Sequence, residues 1–216
     1  MKGIASFDPS NKIDPTAIIG DFVTIGQNNV IGPYCVLDGN TLIGDGNTFT
    51  AFCSIGTPAE DYHDRGGINK WGLKIGDGNV FREFCTINAG TTRDTLVGSK
   101  VKMLRGTYVG HDSHIEDEVI LSCNVLIGGF TRVCKGANLG MGAILHQKTI
   151  VGAYAMLGMG SVLTKKTKCP PGEIMVGNPC KYLKNNSIGL DRAGINHDEL
   201  NRMVEEFNIL TNENAN

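Results

Sequence analysis

The sequence predicts an all-β chain, a parallel β-helix of hexapeptide repeats closed by a short C-terminal α-helical tail. Three observations carry the prediction. A large apolar residue recurs at every sixth position, glycine and β-branched residues run together among few charges, and the spacing turns helical after Asn196.

The six-residue beat starts at Ile13 and passes through Ile19, Ile25, Ile31, Leu37, Ile43, Phe49 and Ile55. It resumes at Ile75, Phe81 and Ile87, breaks again, and holds from Val97 to Leu163. Glycine commonly follows the large residue, as at Gly26, Gly110 and Gly128, and a mostly small residue precedes it by two, as at Cys35, Thr107 and Ala143. A helical face needs spacings of three and four, so a period of six excludes it. Short strands joined by turns fit, three hexads to a triangular coil, with coils stacked at the strand spacing of about 4.8 Å. The large residue points inward and glycine relieves the corner, where positive φ or close backbone approach is expected. The hexads suffice for between seven and eight coils, a rod about 36 Å long at that spacing.

Two interruptions leave the rod. The polar segment between Ile55 and Ile75 abandons the beat, and Gly90-Thr91-Thr92-Arg93-Asp94 bulges between Ile87 and Val97. The expected organisation is a rod over residues 1–168 with loops at 57–73 and 88–96, followed by a cap and helical tail over 169–216. Within the latter, 173–179 reads as an extended cap over the last coil. Leu200, Met203, Val204, Phe207 and Leu210 give one helix an apolar stripe that must pack on the rod or on a neighbouring subunit.

Composition narrows the function classes. The 216 residues carry 20 Lys+Arg against 22 Asp+Glu, a net charge of −2, which gives no footprint for nucleic acid or an anionic membrane. No apolar run is long enough to span a bilayer, and Met1 to Asp8 lack a secretory apolar core. Seven scattered cysteines without a CxxC pair read as reduced, mostly buried thiols of a cytoplasmic protein.

Positions 18 apart stack on one face. His111 and Asp112 therefore share a ridge with Gly128 and Gly129 one coil on, and with His146 and Gln147 one coil further. His111 follows the inward Val109 by two places, so its ring is expected to point out at a corner. An imidazole beside a carboxylate can act as general base near neutral pH, and the glycine pair is expected to leave N–H groups exposed for an oxyanion. A metal held by His111, His114 and His146 is the other chemical option.

From about Ile13 to about Gly194 the sequence resembles the acyl carrier protein–UDP-N-acetylglucosamine O-acyltransferases of lipid A synthesis. The resemblance rests on Ile55-Gly56-Thr57-Pro58 with Asp61 close behind, on Ile75-Gly76-Asp77-Gly78-Asn79 running on to Arg82-Glu83, and on Gly110-His111-Asp112. His146-Gln147, Gly177-Asn178-Pro179 and Gly189-Leu190-Asp191-Arg192 complete it, all in family order. The chain departs from the family at Tyr108 and Gly129, where the family places histidines, and at Ala193, where it places an arginine. The resemblance implies a left-handed coil and a homotrimer whose subunits enclose a groove, with an acyl group passing from acyl carrier protein or acyl-CoA to a nucleotide sugar. It makes His111 the general base, Asp112 its orienting partner and the Gly128 N–H the oxyanion donor. Asp61, His63, His146, Gln147, Asn186 and Arg192 become substrate contacts, and neither metal nor resident cofactor is expected. A CoA-dependent sugar O- or N-acyltransferase, a non-catalytic paralogue and a metalloenzyme like the γ-class carbonic anhydrases remain as other readings.

Overall fold

The computed structural model describes residues 8–61 and 71–213. Within them the chain winds as a parallel β-helix whose strands, mostly two residues long, build three sheets. The first face runs from Lys12–Ile13 to Glu173–Val176, the second from Ile18–Ile19 to Val162–Leu163, and the third from Thr24–Ile25 to Ile150–Val151. Paired residues stand 18 apart in the chain, as in Asn29 and Asn47. That distance grows to 32 across the first interruption and to 22 across the second. The loops thus add 14 and 4 residues while the register is kept. His63 and most of the first loop lie outside the described residues.

The beat is the core. Ile31, Leu37, Ile43, Phe49 and Ile55 are all but inaccessible, and each such burial stabilises the rod by roughly 1.5–3 kcal/mol. Phe49 and Phe81 stack inside at a centroid distance of 4.6 Å. One interior corner is polar. Asn29, Asn47 and Asn79 are buried there, and the N–H of Asn47 donates to Asn29 Oδ1, as that of Asn79 does to Asn47 Oδ1. These amides satisfy backbone donors that the corner takes out of the sheet ladder.

Glycine after the inward residue serves close approach rather than positive φ, except at Gly56 (φ 73°). A Cβ on Gly110 would stand 2.8 Å from the Gly129 nitrogen. The left-handed conformation falls two residues later, on Asp112 (φ 58°), Phe130 (φ 59°) and Lys148 (φ 61°).

The C-terminal region differs from expectation in two respects. Residues read as a cap continue the rod, because Glu173–Val176 pairs parallel with Met156–Leu157 and starts a ninth turn. Lys181–Asn185 then returns antiparallel against it. The tail forms two helices instead of one, α1 (Ser187–Ala193) and α2 (His197–Glu213), separated by Gly194 in the left-handed conformation at φ 69°. Asn186 caps α1 by accepting from the Gly189 N–H. The apolar stripe of α2 meets the rod: Phe207 is 3% exposed and packs with Cys134 and Ile150. All seven thiols are free, and burial pushes those of Cys85 and Cys134 up to about 12.

Candidate active site

His111 and Asp112 occupy the corner between Tyr108–Val109 on the second face and His114–Ile115 on the third. Val109 and Ile115 anchor that corner by pointing into the core. The four residues added by the second interruption have a use here. The Asp112 carboxylate accepts from the backbone N–H and hydroxyl of Thr91, from the N–H and hydroxyl of Thr92, and from the Arg93 N–H, all at 2.8–3.0 Å. The inserted loop is thus wrapped around one carboxylate. Burial pushes the Asp112 pKa up, but the hydrogen bonds from His111, Thr92 and Thr91 outweigh it and hold the group well below the usual carboxylate range.

His111 Nδ1 lies 2.6 Å from Asp112 Oδ2. An ionised carboxylate only accepts, so Nδ1 carries the proton and the lone pair of the neutral ring sits on Nε2. The imidazole stands at the corner, outside the apolar core, yet it is not open to solvent as expected: its side chain is 11% exposed. The ring covers Gly129, where a Cβ would meet Nε2 at 2.8 Å and Cε1 at 2.9 Å. Phe130 closes the other side edge-on, with centroids 5.3 Å apart at 84°.

The glycine pair behaves differently from expectation. The Gly128 N–H donates to Leu145 O at 3.0 Å and belongs to the ladder, so it is not available to an oxyanion. The Gly129 N–H has no partner among the described residues, and Gly129 is buried beneath the imidazole. Buried backbone donors left unpaired are rare. The backbone alternates its N–H directions at a corner, which residue identity alone does not reveal.

The remaining expected residues within the described part of the chain lie in four places. His146 and Gln147 lie on the same ridge and are exposed, with His146 Nδ1 2.9 Å from Gln147 O. Asn186 is engaged structurally, through its cap on α1 and a bond from Nδ2 to Tyr154 O at 2.8 Å. Arg192 stands exposed in the last turn of α1. Asp61 ends the described part of the first loop. That loop is tied to the ridge by Tyr108, whose hydroxyl donates to Asn88 Oδ1 at 2.7 Å while Asn88 Nδ2 donates to Pro58 O at 3.0 Å. Burial, and then Glu60, raise the Tyr108 pKa. Sequence reasoning missed Thr91, Thr92, Asn88 and Phe130. The signal for the threonines was a short polar insertion facing a buried aspartate. Among the described residues of the single chain no three His, Cys, Asp or Glu side chains converge, His111, His114 and His146 included. A pocket of about 420 Å³ between α1, α2 and the last turn is lined by Glu173, Leu190 and His197 and includes no residue of the ridge.

Known proteins share both the repeat and the whole architecture. A family model described as "Bacterial transferase hexapeptide (six repeats)" matches residues 22–57. The acyl-[acyl-carrier-protein]–UDP-N-acetylglucosamine O-acyltransferase of Gloeothece citriformis is 35% identical over 181 residues, 83% of this chain and 64% of that protein. The chain thus spans just under two thirds of that relative. The enzyme of the same name from Stutzerimonas stutzeri is 32% identical over 218 residues, 94% of this chain and 83% of its own length. The crystal structure of the Francisella novicida UDP-N-acetylglucosamine acyltransferase superposes with a TM-score of 0.73 at 27% identity, over 92% of this chain and 75% of that one. The chain belongs to the acyl-[acyl-carrier-protein]–UDP-N-acetylglucosamine O-acyltransferase family.

Proposed function

We propose that the chain transfers an acyl group from acyl carrier protein to a hydroxyl of UDP-N-acetylglucosamine, with His111 as general base. The observation that carries this is the His111–Asp112 pair, which leaves the lone pair on Nε2, the ring atom that lies against Gly129, whose N–H has no partner among the described residues. Nε2 takes the hydroxyl proton as the sugar oxygen attacks the thioester carbonyl carbon. The Gly129 N–H, in place of Gly128, stabilises the oxyanion that forms. Collapse breaks the carbon–sulfur bond, and the imidazolium returns its proton to the departing thiolate, giving an ester and a carrier thiol. A thioester is activated enough that a base, an oxyanion donor and exclusion of water suffice.

The working form is a cytoplasmic homotrimer with the ridge facing a neighbouring subunit. Leu126 (43% exposed) and Ile144 (42% exposed) support this, because they flank the ridge on the second face as apolar side chains without cover. Seven free thiols suit a reducing compartment, and no described helix is long and apolar enough to cross a membrane. Asp61, His63, His146, Gln147 and Arg192 are the proposed acceptor contacts.

The test is acyl transfer by the purified chain. Acyl carrier protein and CoA thioesters of several chain lengths are supplied with UDP-N-acetylglucosamine, and thiol release and sugar ester are both measured. Carrier-dependent ester formation is expected. Transfer from CoA alone, or no transfer from any thioester, contradicts the reading.

A further inference from the structure

Two cations beside His111 are paired with no carboxylate among the described residues. Phe130 stands one coil beyond Asp112, half-buried, with its ring against the imidazole. The Arg93 guanidinium carbon lies 5.5 Å from the ring centroid and Lys148 Nζ lies 5.6 Å from it. Arg93 comes from the inserted loop, where its Nε donates to Asp112 O at 3.0 Å. Lys148 comes from the coil after Phe130, the position stacked directly on it. Both side chains are exposed.

The neighbouring charges are accounted for. Arg132 is paired with Glu116 at 2.6 Å, Lys74 with Asp94 at 2.6 Å, and the Asp112 carboxylate is enclosed by the threonine loop. Neither Arg93 nor Lys148 forms an ion pair among the described residues. The two distances to one centroid keep these charges within about 11 Å of each other. Their mutual repulsion is offset only in part by the ring face that attracts each of them. A guest with two or more negative charges would convert that repulsion into attraction, and a guanidinium fork with a mobile ammonium matches the oxygens of phosphate.

We propose that Arg93 and Lys148, seated on Phe130, form a phosphate-binding site that holds a phosphate-bearing substrate against His111. The proposal rests on the acyl-transfer reading above. The phosphate has two sources in such a reaction, the diphosphate of the nucleotide sugar and the phosphate that links the carrier to its thiol arm.

The experiment compares wild type with Lys148→Met and Arg93→Gln, with Lys148→Arg as the charge-conserving rescue. It measures KM for each substrate and the affinity for inorganic pyrophosphate by calorimetry. The expected result is a KM raised about tenfold and pyrophosphate affinity weakened about as much in both neutral variants, with Lys148→Arg near wild type. A rise confined to the nucleotide sugar assigns its diphosphate, a rise confined to the thioester assigns the carrier phosphate, and a rise in both assigns a shared site. If wild type transfers no acyl group, the functional reading fails on its own, and pyrophosphate binding that depends on Lys148 still supports the site. Pyrophosphate affinity and both KM values within twofold of wild type in the neutral variants, or no pyrophosphate binding by wild type, overturn it.

Discussion

The imidazole of His111 lies over the α-carbon of Gly129, so close that a methyl group there would stand 2.8 Å from Nε2. Glycine at 129 is therefore a condition for the ring to keep this position, since a Cβ there would push the imidazole aside. Gly129→Ala is expected to fold and to lower kcat by about tenfold to a hundredfold, because an ångström of displacement at the base is enough to do so. A thermal melt beside the kinetic assay separates the two effects. A variant with wild-type turnover would show that the ring does not need this seat.

Asp112 carries the second prediction. Its folded-state pKa lies below the unfolded value of about 3.9, so its contribution to stability is fully present above that value. It is lost as pH falls through the folded one. Acid therefore weakens the protein partly through this carboxylate. Asp112→Ala is expected to destabilise the fold at neutral pH by about 3 kcal/mol, since it removes the buried carboxylate that accepts five hydrogen bonds from the loop. Its stability should also fall less steeply between pH 5 and 2 than that of wild type. Urea unfolding of both proteins across that range checks the slope, and parallel curves would remove the assignment.

Tyr108→Phe tests the tether between the first loop and the ridge. Removing the hydroxyl leaves Asn88 Oδ1 without its donor in a residue that is 2% exposed, and about 1 kcal/mol of stability should be lost. If the loop presents Asp61 to the acceptor sugar, KM for that sugar rises severalfold while kcat changes little. Steady-state kinetics with the acceptor varied distinguishes this from a general loss of activity, which would place Tyr108 in the chemistry instead.

The rod was legible in the sequence because each hexad turns one large apolar residue inward, as Ile31, Leu37 and Phe49 show. Both interruptions were equally visible, since a lost phase marks an insertion whatever its shape. The ninth turn was not, because Glu173–Val176 lacks the glycine and small residue that flag the earlier strands. Helix α1 escaped notice for a different reason: with seven residues it is too short to repeat an apolar spacing, and its cap Asn186 resembled a ligand contact. At the site, stacking by 18 correctly brought His111, Gly129 and Gln147 onto one ridge. Which glycine N–H is free depends on the direction of each peptide plane at the corner, and that follows from the ladder bond of Gly128 to Leu145 alone.

The most direct measurement is the turnover of His111→Ala beside wild type, with acyl carrier protein thioester and UDP-N-acetylglucosamine both saturating. Loss of a general base predicts a kcat lower by about a hundredfold or more, with the melting temperature and oligomeric state unchanged. A variant that folds as wild type and transfers acyl groups at the wild-type rate would contradict the account.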